Sequence, residues 1–332
     1  MDKFINAIGI DVSKLTLDAH DYVNERHIQV GNTSTGFKEL LRWARRNNKD
    51  LAAVVFCFEH TGVYSLPLAI YLTDHQVQYS LVSGLEVKYS SGLIRGKDDQ
   101  VDAQRIAEYA FLRRHKITFY QLPSKGLLEL KSLLSLREKM VTQRAGYKAS
   151  KKEMKSFLKV AKPSSVIFEA QEKLIEELTK QIKKVEKQMK DLIGQDEQLK
   201  KSFDLVTTVK GVGLILGATM LVYTNCFTTF KTWRKFATYC GIAPFGHDSG
   251  TSIKKRKRVH HLANKRIKTL LANAASTSIQ FNPEMKLYYQ RRLKEGKNKM
   301  STQNIIRNKI VSRIFAVVQR GTPYVEILKH AA

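Results

Sequence analysis

Two short runs decide how the N-terminal third is read: Ala7-Ile8-Gly9-Ile10, stopped by Asp11, and Ala52-Ala53-Val54-Val55-Phe56-Cys57-Phe58, stopped by Glu59. Side chains of a strand alternate between its two faces, so a run that is apolar at every position belongs in the middle of a sheet covered on both sides. Both runs are therefore predicted as central strands. Outward from them, residues 15–22 and 28–31 read as antiparallel partners of the first run. Residues 36–46 and 64–72 have helical patterning, and 79–82 is a further short strand. The order β-β-β-α-β-α-β predicts a mixed α/β domain.

Asp11 and Glu59 stand where their strands end. Ligands of open α/β sheets gather beyond the carboxyl ends of the strands, and a carboxylate there stays at the edge of the core without being buried in it. If the two strands are parallel neighbours, the two acids converge. A third acidic element is GKDDQVDAQRIAEYA at residues 96–110, in which Ala103, Ile106, Ala107 and Ala110 give a helix an apolar face. On that helix Asp99 and Asp102 share one side and can reach the same cation. Four hard oxygen donors suit Mg²⁺ or Mn²⁺, and two such ions about 4 Å apart can serve phosphodiester cleavage. The plainer reading makes Asp98 and Asp99 acids that favour a helix N-terminus. The segment GLIRGK at 92–97 is too short for a phosphate-binding P-loop and is followed by Asp98 rather than Ser or Thr, which argues against nucleotide hydrolysis of that type.

The whole chain, 332 residues, is long enough for about two domains at roughly 150 residues each. It carries 57 Lys and Arg against 30 Asp and Glu, a formal net charge of +27. Such an excess points to a polyanionic partner. No apolar run approaches the roughly 18 residues of a membrane span, and the first residues lack a signal peptide's order, so a soluble, cytoplasmic protein without membrane attachment is predicted. Cys57, Cys226 and Cys240 are odd in number and far apart, which supports neither a disulfide framework nor a zinc knuckle.

From Lys125 to Lys200 the chain reads as long charged helix with a break at Pro163-Ser164-Ser165. Ile175, Leu178, Ile182, Val185, Met189, Leu192 and Leu199 recur at coiled-coil spacing, interrupted by Asp196; the seam serves either an internal helical hairpin or a dimerisation arm. Beyond it, TTVKGVGLILGATML reads as helix, Gly-Val-Gly turn and helix. In so basic a chain, Lys210, Gly211 and Gly213 become candidate backbone-phosphate contacts of a helix-hairpin-helix element. The aromatics Phe227, Phe230, Trp233, Phe236 and Tyr239 read as core. A loop follows at residues 241–252, and then Lys254-Lys255-Arg256-Lys257-Arg258, a nucleic-acid-binding candidate, since further cations follow at Lys265, Arg266 and Lys268. Ser249 would lie beside phosphates there. Spacing alone assigns it no base among His247, His260 and His261.

Taken together, IGIDVSK with Asp11, FEHTG with Glu59, KDDQVDAQRIA with Asp99 and Asp102, then KGVG, then Pro244 to Gly250 in the form P-x-x-x-x-S-G, resemble the DEDD transposases of insertion-sequence family 110. The resemblance runs in order through nearly the whole chain. It implies an RNase H-like domain similar to RuvC-type resolvases over residues 1–118, a helical coiled coil over 119–200, and a mainly α transposase domain over 201–332. It also implies that Asp11, Glu59, Asp99 and Asp102 bind the metal and that Ser249 forms a transient phosphoserine link to DNA. A noncoding bridge RNA pairing with donor and target DNA is implied as well, with assembly into a homo-oligomer, dimer or tetramer, at a bacterial nucleoid. Where this family often has Thr, Ser or Asn the chain has Asp98, so Asp98 and Asp99 are alternatives for the third ligand; only Asp99 keeps the spacing to Asp102. Ser252 lies on the same loop as Ser249, but Ser249 alone is followed by glycine and set five after proline.

The expected activity is thus RNA-guided cutting and rejoining of DNA without a high-energy cofactor. Its nearest rival is a RuvC-like structure-selective endonuclease that uses metal-activated water, with Ser249 only a phosphate contact. An actin-like ATPase would share Ile8-Gly9-Ile10-Asp11 but needs a later Asp-x-Gly-Gly-type loop, which the sequence lacks. A non-catalytic nucleic-acid-binding protein would bind with steep salt dependence and no need for Mg²⁺.

Overall fold

The computed structural model describes residues 4–60, 62–90, 98–157, 165–249, 253–259 and 262–325, with the backbone alone at 245–249 and 253–258. The segment 92–97, the break at Pro163-Ser164, Ser252, His260 and His261 lie outside the described residues. The chain divides into two compact units, Met1–Leu122 and Pro123–Ala332.

The first unit is a five-stranded mixed sheet with helices on both faces. Its strands are β1 (Asn6–Val12), β2 (Thr16–Asp21), β3 (Arg26–Gly31), β4 (Val54–Glu59) and β5 (Tyr79–Val82), in the order β3-β2-β1-β4-β5. β1 runs antiparallel to β2 and parallel to β4, with Ile8 opposite Phe56 and Ile10 opposite Phe58. The two apolar runs are therefore parallel neighbours at the centre. Alternation divides their side chains between two cores. Ile8, Ile10, Val12, Phe56 and Phe58 pack with Phe37, Leu40 and Leu41 of α1 (Ser34–Asn47) and Leu68 and Leu72 of α2 (Leu66–Asp74). Ala7, Val55, Cys57 and Val82 meet Val87 of α3 (Gly84–Ser90) and Ile106 and Ala110 of α4 (Asp99–Leu112) on the other face. The architecture is compatible with an RNase H-like domain.

The second unit begins with α5 (Lys125–Phe157) and α6 (Ser165–Gln195), which form an antiparallel hairpin within the chain. Arg137 pairs with Glu186, Arg144 bonds Thr179 and Lys151 pairs with Glu172, each lower residue meeting a higher one in reverse order. Leu130, Leu134, Val185, Met189 and Ile193 fill the seam together with Ala218 of α8 (Leu214–Thr224). The predicted seam does not run on to Leu199. Asp196 caps α7 (Glu197–Thr207), accepting from the Leu199 N–H, so the residue out of register in the heptads is a helix stop and a new start.

A second difference concerns residues 245–258. The stretch expected as a loop and a cationic run forms a hairpin of β6 (Phe245–Ser249) and β7 (Ile253–Arg258), following α9 (Trp233–Tyr239). Five consecutive cations give no period-two pattern, while backbone pairing asks only for N–H and C=O groups. The unit closes with α10 (Lys265–Phe281), α11 (Pro283–Lys294) and α12 (Lys299–Arg320) around a core that includes Phe236, Leu271, Ile310, Ile314 and Phe315. Of the aromatic series expected as core, Phe236 is buried and Phe227, Phe230 and Trp233 pack partly buried against that core, with Phe227 and Phe230 edge-on to Phe315 and Phe236, whereas Tyr239 is exposed. Among the described residues the three cysteines are free, and no helix is long and apolar enough to cross a membrane.

Candidate acidic site

Gly9 sets the geometry of the site. A β-carbon there would collide with the carbonyl oxygen of Ala103 and the backbone nitrogen of Ala107, so glycine lets the backbone of α4 lie directly on β1. Ala103 and Ala107 are themselves fully buried and small enough for that approach. Asp99 and Asp102, in the first turn of that helix, are close enough for their charges to act on the Asp11 carboxyl. Asp98 does something else: it is the N-cap of α4, its side chain accepting from the Gln100 N–H at 2.9 Å.

Glu59 ends β4, opposite Val82 of β5. Its carboxylate rests against Gly84, where any β-carbon would overlap both carboxylate oxygens. Electrostatics tie the acids together. Burial pushes the Asp11 carboxyl up to about 6 from an ordinary 3.8, helped in order by Asp99, Asp102, Glu59 and Asp18. Glu59 is raised too, by burial and then by Asp102. Asp102 is partly neutralised by Arg105, one turn on, at 2.8 Å.

Asp18 was not among the residues expected from sequence. It sits directly across from Asp11 in the β1–β2 ladder and is buried, with both oxygens accepting from Gln29 Nε2 at 3.1 and 3.2 Å and Oδ1 also 3.2 Å from His27 Nε2. An acid set between Leu17 and Ala19 of an expected strand was the available signal. Gly84 was missed as well, and only its position just after a short strand hinted at it. Among the described residues no three His, Cys, Asp or Glu side chains are gathered tightly enough to cage an ion as they stand.

The remaining expected residues lie in the second unit. Ser249 is the last residue of β6, paired with Ile253, and Lys254 and Lys255 of β7 pair with Asp248 and His247. In the Gly-Val-Gly turn the two glycines answer different needs. Gly211 has φ +92°, and a β-carbon there would strike the Ala274 carbonyl; Ser278 Oγ also donates to the Lys210 carbonyl at 2.6 Å, so this side of the turn is fastened to α10. Gly213 caps α8 and faces open space.

Two family models match the chain. One, a transposase model of the DEDD type named for IS110, covers residues 8–163, and one described as transposase IS116/IS110/IS902 family covers residues 203–290. The chain belongs to the IS110 family of transposases. Over 322 residues it is 25% identical to the pilin gene-inverting protein of Moraxella bovis, across 96% of this chain and 97% of that one. The pilin gene-inverting protein of Moraxella lacunata matches to the same extent. An uncharacterised 43.6 kDa protein of insertion element IS110 from Streptomyces coelicolor is 31% identical over 122 residues, 36% of this chain and 29% of the relative. As an IS110-family enzyme the chain is a DNA transposase or recombinase, and DNA is its partner. The first family model begins at β1 and contains all four expected carboxylates, and it ends beyond α5.

Proposed function

We propose that this transposase cuts and rejoins DNA with Asp11, Glu59, Asp99 and Asp102 as its acidic site and Ser249 as its nucleophile. The observation that supports the acidic half is the raised Asp11 carboxyl, pushed up to about 6 first by burial and then by the charges of Asp99, Asp102 and Glu59, which reach it from α4 and β4. The donors fit a hard divalent cation: all are carboxylate oxygens, and their mutual repulsion is what such an ion relieves. Bound there, Mg²⁺ or Mn²⁺ would polarise a phosphate oxygen and stabilise charge on a leaving oxygen.

The chain's own chemistry is a transesterification. Ser249 Oγ attacks phosphorus and gives up its proton, the bond from phosphorus to one sugar oxygen breaks, and that sugar leaves as a free hydroxyl. In the return step a sugar hydroxyl attacks the phosphoserine, a phosphodiester forms and the serine is restored. Each step exchanges one phosphate ester for another, so no ATP is required. A relative named for inverting a gene supports this reading, since inversion requires both ends of a segment to be cut and joined again.

Guidance by a bridge RNA and work in a dimer or tetramer complete the reading, supported by the order of motifs shared with the family. Sequencing of RNA that copurifies with the protein tests the guide. The decisive experiment for the chemistry is Ser249→Ala. It is expected to abolish both strand exchange and the covalent protein–DNA adduct seen on denaturing gels. A variant that still cuts in Mg²⁺ would instead favour the resolvase-type endonuclease with water as nucleophile.

A further inference from the structure

Among the described residues Arg307 of α12 is the one lysine or arginine that is buried, 7% exposed, and it has neither a hydrogen bond nor an ion pair. Its Nε is sealed from solvent without a partner. The half-buried arginines of the protein are treated differently: Arg137 meets Glu186, Arg266 meets Glu138 and Arg313 meets Glu284, all at 2.6 to 2.7 Å. Burying an isolated guanidinium costs free energy that a fold avoids by pairing it or by using an apolar residue of the same size. A buried polar group left without a partner therefore calls for an occupant.

The surroundings say which kind. On the same turn of α12, Asn304 and Asn308 both donate to the carbonyl of Ile242, at 2.7 and 3.0 Å. That carbonyl lies three residues before β6 begins, so this turn is the root of the hairpin whose second strand is β7. Next in the chain is α10, which packs on α12 and brings the Lys268 side chain against Gly241, the residue before Ile242. On α11, which packs on α12, Glu284 is already held by Arg313 and Tyr324. Burial alone pushes the guanidinium down, with no acid acting in the opposite sense. A forked guanidinium with no acid to match it selects an anion with several oxygens.

We propose that Arg307 is an anion-binding residue that receives a backbone phosphate of DNA held by the second unit, at the root of the β6–β7 hairpin. This goes beyond the assignment of Ser249 and the acidic site, and it would stand if either of those failed, because it requires only that DNA is bound.

The test uses the full chain and a fluorescein-labelled 30-base-pair DNA duplex, with affinity measured against KCl concentration. Each phosphate contact contributes about 0.9 to the slope of log affinity against log salt. Arg307→Gln and Arg307→Met should each lower that slope by about one, and Arg307→Lys should retain it while weakening binding. Melting without DNA separates a ligand role from a scaffold role: Arg307→Met should melt at or above the wild-type temperature, since it removes a buried unpaired charge. An unchanged salt slope in Arg307→Met overturns the proposal. So does a fall in oligomer mass with the slope intact, which would assign the arginine to a carboxylate of a second copy.

Discussion

The Glu59 carboxylate occupies the space that a side chain at Gly84 would need. The atoms in conflict are the far end of a flexible side chain, so Gly84→Ala can be accommodated by swinging the carboxylate away. The backbone of Gly84 sits at the start of α3, where alanine is acceptable or better. The expected outcome is a variant with wild-type denaturant midpoint and a loss of strand cleavage comparable to that of Glu59→Gln. A destabilised Gly84→Ala, or one with full cleavage, would remove Gly84 from the account of the site.

Gly9→Ala makes the opposite kind of conflict. Here the obstructing atoms are the backbone of α4 at Ala103 and Ala107, which cannot rotate aside, so the helix itself must move. Overpacking of this kind costs about 1–3 kcal/mol, and a helix displaced from β1 carries Asp99 and Asp102 with it. Urea unfolding should therefore show a lower midpoint, and cleavage should fall by more than the loss of folded protein explains. The pair of variants distinguishes a residue that supports a carboxylate from one that supports a helix.

Much of the first unit was legible because burial writes itself into sequence. Ile8, Ile10 and Val54 to Phe58 are apolar on both faces, and only a covered central strand has that composition. The position of Asp11 and Glu59 at the ends of those runs was legible for the same reason: each is the first residue that the core does not accept. What escaped was whatever depends on contacts between distant segments. Gly84 matters through Glu59, Asp18 through Asp11 across the ladder, and Arg307 through the absence of a partner, none of which has a periodic signature. The β6–β7 hairpin escaped because pairing of a cationic strand is a backbone property. Asp196 was visible as an anomaly in the heptads but became intelligible only as a cap.

The choice between Asp98 and Asp99 follows from the same capping argument. Thr, Ser and Asn, which the family often has at the position of Asp98, are all residues that cap helices, as aspartate is. Both acids are exposed, but Asp98 spends its carboxylate on the Gln100 N–H, whereas Asp99 lies in the first turn of α4 and acts on Asp11. Asp98→Ala should cost about 1 kcal/mol of stability and leave cleavage largely intact, and Asp98→Ser should restore the stability. Asp99→Asn is expected to fold as well as wild type and to lose cleavage. Reversal of these two phenotypes in a cleavage assay run alongside thermal melts would move the site to Asp98.

Proton linkage gives a separate reading of the acidic cluster. The unfolded chain ionises Asp11 near 3.8, while the folded chain holds its proton until about 6, because burial, Asp99, Asp102, Glu59 and Asp18 all disfavour the charge. Between those values the folded state binds more protons than the unfolded one, so stability falls as pH rises and the decline ends above the folded value. Glu59, raised in the same direction, adds to the slope. In EDTA the melting temperature of the wild type should therefore drop from about pH 4 to about pH 6 relative to Asp11→Asn, in which most of the drop is missing. Mg²⁺ added above pH 6 should raise the wild-type melting temperature by replacing the lost protons with a cation, and raise that of Asp11→Asn much less. Equal stabilisation of both proteins by Mg²⁺ would place the ion somewhere other than these carboxylates.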